Sequence, residues 1–298
     1  MLCRVLVGCG AFLVASCSAG SETISTTTLS STSIPKATTT AIAPVTTVMT
    51  TPENEALRSV DLRPIADYSK SLLIEIPFED VTETAAWYST PQTTLTHHEI
   101  SDELVHGGNK SFKAWVTGEN SENIEPDGPN HRGYPTIQLD KGPRACVTPC
   151  LLSLWVWADI PTVSGEWYQI ATVTPSANDS WFPAEVVNVG DEGWLHVMHV
   201  PSYGKSEYVF QRRDLLFPMK QWVKVDIVLK YSLDGGAIAV FQNDELINVS
   251  RIDPTNIAMT ETEDGRLLNQ MHFGMYGPPT LATGVIFNDD LAIYELHD

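Results

Sequence analysis

Positive charge is scarce in this chain: 18 Lys and Arg stand against 37 Asp and Glu in 298 residues, a formal net charge of -19. No Lys/Arg run exceeds two residues, so the surface repels phosphate backbones and anionic headgroups, and no nucleic-acid partner is expected. Long apolar runs are missing too, except at the extreme N-terminus; elsewhere the apolar pieces are too short and too often broken by charge to span a bilayer. Sustained 3.6-residue periodicity is absent, which argues against a helical fold. Cysteine is sparse: of the 5 present, Cys3, Cys9 and Cys17 lie near the N-terminus and only Cys146 and Cys150 lie beyond. Neither an EF-hand loop nor a Cys/His zinc spacing occurs. What is plentiful is apolar content, 43% of residues, with 9 Phe, 9 Tyr and 8 Trp. That is enough to bury a core and excludes wholesale disorder.

The N-terminus has the three-part layout of an export signal over residues 1–16: the basic start Met1-Leu2-Cys3-Arg4, the apolar stretch Val5 to Ala15, and a small residue, Ser16, before Cys17. Leu13-Val14-Ala15-Ser16-Cys17 resembles a bacterial lipobox, which implies cleavage before Cys17 and lipidation of its thiol. Several acyl chains anchor stably where one does not. The expected location is therefore the outer face of a bacterial membrane, with the lipid as the only membrane contact. From Ser18 to Thr51, 18 of 34 residues are Ser or Thr and only Glu22 and Lys36 are charged. Such a tract cannot offset the entropy of ordering and reads as a stalk. The expected division is signal 1–16, lipidated Cys and disordered linker 17–71, and one folded, monomeric domain 72–298.

Short runs rich in Val, Ile, Trp, Tyr and Phe recur from Leu72 onward between Gly, Pro, Asn and Asp punctuation, the pattern of an all-β domain. Predicted strands are Leu72–Pro77, Ser111–Thr117, Pro135–Leu139, Leu151–Ala158, Trp167–Thr174, Ala184–Val189, Trp194–Val200, Tyr208–Gln211, Trp222–Lys230, Ala237–Gln242, Glu245–Ser250, Met271–Tyr276 and Val285–Glu295. They suit a two-sheet antiparallel β-sandwich. Asn243-Asp244 marks the clearest hairpin, because both residues tolerate positive φ. In Trp222–Lys230 the parity puts Val223, Val225, Ile227 and Leu229 in the core and Lys224, Asp226 and Lys230 on a solvated face. The same parity sends His196 and His199 to opposite faces, where each is expected to be packed. Trp155 and Trp157 share one face and are expected in the core.

Trp222-Val-Lys-Val-Asp-Ile, Asp234-Gly-Gly, Ala239-Val-Phe-Gln-Asn-Asp-Glu-Leu-Ile, His272-Phe-Gly-Met-Tyr and Phe287-Asn-Asp-Asp-Leu-Ala-Ile-Tyr together resemble the last third of concanavalin A-like jelly rolls, and most nearly the polysaccharide lyases of the heparin- and alginate-lyase kind. The resemblance implies a jelly roll over 72–298 and a polysaccharide partner. Gly274-Met275-Tyr276 matches the end of the lyase strand that carries a catalytic Tyr, with His272 where those enzymes have a Lys. Asn130-His131-Arg132-Gly133-Tyr134 stands where they have Arg followed two residues on by Glu. It also implies a structural Ca²⁺ where the first and last strands meet, at Glu79, Asp80, Asp289 and Asp290, whose hard oxygens suit that ion.

Elimination across a uronic acid requires a cation or strong donors for the carboxylate, a base for the neighbouring ring proton and an acid for the leaving oxygen. His131, Arg132, His272 and Tyr276 are the catalytic candidates. Arg212 and Arg213 are candidate substrate contacts, and Trp181, in Asn178-Asp179-Ser180-Trp181-Phe182, is a candidate loop platform for a sugar face. Cys146 and Cys150 are too far apart in a straight strand to bond, but the Thr148-Pro149 turn brings a disulfide within reach, as expected for an exported protein. Two functional classes fit: a surface enzyme cleaving an acidic glycan by lyase-like β-elimination, and a non-catalytic glycan-binding or adhesion module on the same fold.

Overall fold

Alternating apolar side chains turn short strands into two sheets that bury one face each against the other. The computed structural model describes residues 52–80, 93–125, 128–141, 144–176, 181–232, 235–252 and 267–298, so the expected export signal over 1–16, the expected lipidation site Cys17 and the Ser/Thr-rich tract lie outside the described residues. In chain order the elements are a helix, α1 (Pro52–Ser59), and the strands β1 (Ser69–Ile76), β2 (Thr96–Ser101), β3 (Ser111–Val116), β4 (His131–Gly133), β5 (Thr136–Gln138), β6 (Cys146–Val147), β7 (Cys150–Asp159), β8 (Trp167–Thr174), β9 (Ala184–Gly190), β10 (Leu195–Ser202), β11 (Lys205–Val209), β12 (Val223–Lys230), β13 (Gly236–Gln242), β14 (Glu245–Ile252), β15 (Leu267–Leu268), β16 (Gln270–Phe273), β17 (Met275–Gly277) and β18 (Gly284–His297).

The larger, eight-stranded sheet runs β14-β13-β12-β7-β18-β3-β2, with β1 added against β18. The six-stranded sheet runs β11-β10-β9-β8-β16-β5. Pairing in both is antiparallel, and the chain is the all-β sandwich that its patterning predicts. Val223, Val225, Ile227 and Leu229 meet Ile170, Val187, Val197 and Phe273 in the core between the sheets. Asn243 and Asp244 join β13 to β14 at φ 50° and 68°, the doubly left-handed backbone of a tight hairpin. Cys146 and Cys150 are disulfide-bonded with Cα atoms 6.5 Å apart, across the turn that separates β6 from β7.

Four features differ from the patterning. The folded chain begins well before Leu72: α1 opens on Pro52, carries Glu53 and Glu55 in its first turn and Arg58 in its last, all favourable placements for a short helix. Its Leu57 is fully buried with Leu62, Tyr68, Val228, Ala239 and Phe241 against the outer face of the larger sheet. Residues 52–71 therefore belong to the sandwich. For the same reason that face of β12 is not solvated; Asp226 is 2% and Val228 0% exposed. Trp155 and Trp157 are half-buried on this outer face, not in the core, because their neighbours Leu154 and Val156 take the inward positions. Finally, Met271–Tyr276 is two strands. Gly274, at φ +99°, breaks it, and a Cβ there would lie 3.0 Å from the Gly133 carbonyl oxygen and from the Phe112 ring, so only glycine fits the kink.

Candidate functional site

The Gly274 kink builds the site. Beyond it, β17 pairs with β4 so that Tyr276 stands directly opposite Arg132 and Gly277 opposite His131. Before it, β16 sets His272 opposite Thr136 on one side and Thr172 on the other. Alternation then decides which side chains face outward from the six-stranded sheet. Met271 and Phe273 enter the core, so Gln270 and His272 point outward; Gln169, opposite Asn188 of β9, and Thr172 of β8 do so as well, because the register shift between Gln169 and Ala171 interrupts the alternation.

Arg132, His272 and Tyr276 converge. The Arg132 guanidinium lies 5.7 Å from the Tyr276 ring centre, within cation–π range. Tyr134 stacks on His272 at 4.1 Å and meets Tyr276 edge-on at 5.5 Å. Trp167 packs edge-on to Tyr276 at 5.3 Å, and Asn130 Nδ2 donates to the Tyr276 hydroxyl at 3.2 Å. Trp181, the expected platform, is half-buried with its ring 4.6 Å from His272. His272 is 6% exposed beneath these rings. Burial, reinforced by the charge of Arg132, lowers its pKa to about 3, so it is neutral. Its Nε2 meets Gln169 Oε1 at 2.5 Å; with that oxygen accepting, Nε2 carries the proton. Nδ1 then presents a lone pair with no hydrogen-bond partner among the described residues.

His131 takes no part in this cluster. Strand parity turns it inward, fully buried, with Nδ1 2.9 Å from Thr96 Oγ1 and 4.0 Å from Glu125; burial lowers its pKa despite that carboxylate. Neither Arg212 nor Arg213 joins Arg132. Arg212 pairs with Asp214 at 2.9 Å and Glu245 at 3.5 Å. Arg213 lies over Phe210 at 4.8 Å and Trp194 at 5.4 Å, and Phe210 stacks in turn on His196 at 4.6 Å. His196 belongs to β10, three strand spacings from β16, or about 14 Å. His199 faces the other way, as parity predicts, and pairs with buried Glu185 at 3.0 Å beside Tyr231.

Three of the four carboxylates of the expected Ca²⁺ corner, Glu79, Asp289 and Asp290, contact the loop that carries Gly107. Asp289 Oδ2 accepts from the His106 and Gly107 amides at 2.8 and 3.1 Å, Asp290 meets His106 Nδ1 at 2.7 Å, and Glu79 accepts from the Asn109 amide at 2.7 Å. Asp80 follows Glu79 and is exposed. Among the described residues no three His, Cys, Asp or Glu side chains converge as a metal-binding set. No helix among them is long and apolar enough to cross a membrane.

Gln169, Tyr134 and Asn130 are site residues that sequence reasoning did not assign. Gln169 had a signal: it is the one amide in the otherwise aromatic, aliphatic and Thr-rich run Trp167–Thr174. Tyr134 had none, because its stacking on His272 depends on the kink.

No family model and no curated protein matches the chain. Among solved structures it is similar to the endo-β-1,4-glucuronan lyase of the fungus Trichoderma reesei, at TM-score 0.53 and 11% identity over 76% of this chain and 96% of that one. The alginate lyase Aly36B is similar at TM-score 0.44 and 11% identity, over 74% and 95%. A botulinum neurotoxin binding domain, solved in complex with SialylT, is similar at TM-score 0.40 and 12% identity, over 69% of this chain and 44% of that one. The chain shares the overall fold of the glucuronan lyase.

Proposed function

We propose that this protein binds an acidic polysaccharide on the outer face of the six-stranded sheet and cleaves it by β-elimination at Arg132, His272 and Tyr276. The observation that carries the reading is the convergence of a guanidinium, a neutral imidazole with a free lone pair and a phenol around Tyr134. Arg132, with Asn130 and Gln169, offsets the substrate carboxylate, which acidifies the neighbouring ring proton. His272 Nδ1 or the Tyr276 oxygen takes that proton. Its electron pair becomes the new C=C bond, the bond to the glycosidic oxygen breaks, and the departing oxygen gains a proton from the phenol. A basic group buried this deeply is weak as a base, but stays unprotonated across the neutral range. The fold of the glucuronan lyase supports the scaffold and not the chemistry.

A second reading, glycan binding without turnover, is favoured by the enclosure of His272 under Tyr134 and Trp181. Ultraviolet absorbance of unsaturated uronide ends, after incubation with polyglucuronate, alginate and glycosaminoglycans, decides between them. Growth of that absorbance is the expected result. Binding to any of these polymers with none establishes the second reading.

Lipid attachment at Cys17 and export to the cell surface belong to the same proposal, supported by the signal-like N-terminus; Cys17→Ala is expected to move the protein out of the membrane fraction. A Ca²⁺ at Glu79, Asp80, Asp289 and Asp290 is included as a structural ion, supported by hard oxygens from two chain segments gathered at one loop. No step of the chemistry passes through it.

A further inference from the structure

A second cleft, of 540 Å³, opens on the opposite side of the sandwich, between the segment that follows α1 and the outer face of the larger sheet. Its volume is in the range of small-ligand sites. Cross-strand register lays out its floor: Phe241 of β13, Asp226 of β12 and Ser153 of β7 form one row, with Lys224 two residues before Asp226 on the same face of β12. Lys70 and Tyr294 complete the walls.

Asp226 is the unusual member. It is 2% exposed, and its Oδ2 takes the Lys224 ammonium at 2.8 Å. Lys224 in turn reaches Asp244 at 3.1 Å. Asp226 Oδ1 has no hydrogen-bond partner among the described residues. A buried carboxylate oxygen left without a donor is rare in folded proteins and calls for an explanation. Its charge is already offset by Lys224, so what the oxygen lacks is a neutral donor. A hydroxyl is the simplest. Ser153 and Tyr294 add hydroxyls that both donate and accept, and the rings of Tyr294 and Phe241 in the lining give the cleft the amphipathic surface that suits a sugar face. A uronate would set its own negative charge beside Asp226, Asp244 and Glu53, which the cleft disfavours.

We infer that this cleft is a saccharide site for a neutral, hydroxyl-bearing sugar unit, held by Asp226, Lys224 and Ser153 and separate from the Arg132 face. It stands or falls independently of the proposed elimination. The test is calorimetric titration of the full chain with cellohexaose and mannohexaose, with oligoglucuronate as the acidic comparator. Wild type is expected to bind a neutral probe. Asp226→Asn, and Ser153→Leu, which fills the floor while sparing the Lys224 pair, are each expected to weaken that binding about tenfold or more. Arg132→Ala is expected to leave it unchanged. Should Asp226→Asn not fold, Ser153→Leu alone carries the test. Failure of wild type to bind either neutral probe overturns the inference, as does wild-type affinity in folded Ser153→Leu or loss of binding in Arg132→Ala.

Discussion

Lowering the pH from about 7 to about 5 probes the burial of His196 and His272 without changing a residue. Burial lowers the pKa of His196 to about 4, and burial with the Arg132 charge lowers that of His272 to about 3, whereas an unfolded histidine titrates near 6.5. Between those values the unfolded chain binds more protons than the native one, so stability is full above about 6.5 and falls as the pH drops toward 4. With these pKa values each histidine costs about 2 kcal/mol between pH 7 and 5, and the pair about 4. His131, lowered by burial, acts in the same direction. Asp289 acts against it: burial raises its pKa, and its contribution is lost as pH rises and regained in acid. Urea denaturation at constant ionic strength, across this range, measures the slope. His196→Gln and His272→Gln should each flatten it by about one proton. Wild type and both variants sharing one slope would refute the burial argument, because a histidine that titrates alike in both states contributes nothing.

Three other outcomes are expected. Arg132→Ala lowers polyuronate turnover or binding by about 1 to 3 kcal/mol with little change in Tm, and Arg132→Lys restores part of it, since a point charge lacks the bidentate fork; a large fall in Tm would instead mark Arg132 as structural. Leu57→Ala destabilises the folded unit by about 2 to 4 kcal/mol in urea denaturation, the cost of a cavity at a fully buried Leu; no change would return α1 to the linker. Chelation lowers Tm if Glu79, Asp80, Asp289 and Asp290 hold Ca²⁺, because an ion bound only to the native state stabilises it by mass action; an unchanged Tm shows that their hydrogen bonds to the loop suffice.

The sandwich was legible because its core strands carry their own pattern: Val223, Val225, Ile227 and Leu229 alternate with Lys224 and Asp226, and the same side of the pattern meets the core in the structure. Strands whose stability comes from neighbours carried no such pattern. β2 reads Thr-His-His-Glu-Ile-Ser, and β4, β6 and β15 have three or two residues, too few to show a period. α1 was hidden for a related reason. Its eight residues are below the length at which an isolated helix holds in water, and its one fully buried apolar contact, Leu57, acquires meaning only with Val228 and Phe241 opposite.

At the site, what parity governs was readable and what the kink governs was not. His196 and His199 separate as alternation requires, and the same rule, applied to His131-Arg132, allows only one of the two to face outward. Which one does so depends on β4 pairing with β17, because Thr96, far back in the chain, and the nearby Glu125 offer His131 inward partners, while Tyr276 offers Arg132 a ring across the ribbon. Gly274 is the residue on which the outcome turns. A side chain at that position would meet the Gly133 backbone and the Phe112 ring, pushing β17 away from β4. Arg132 and Tyr276 would then part before any catalytic side chain had been changed, so the chemistry proposed here rests on a glycine that performs none of it.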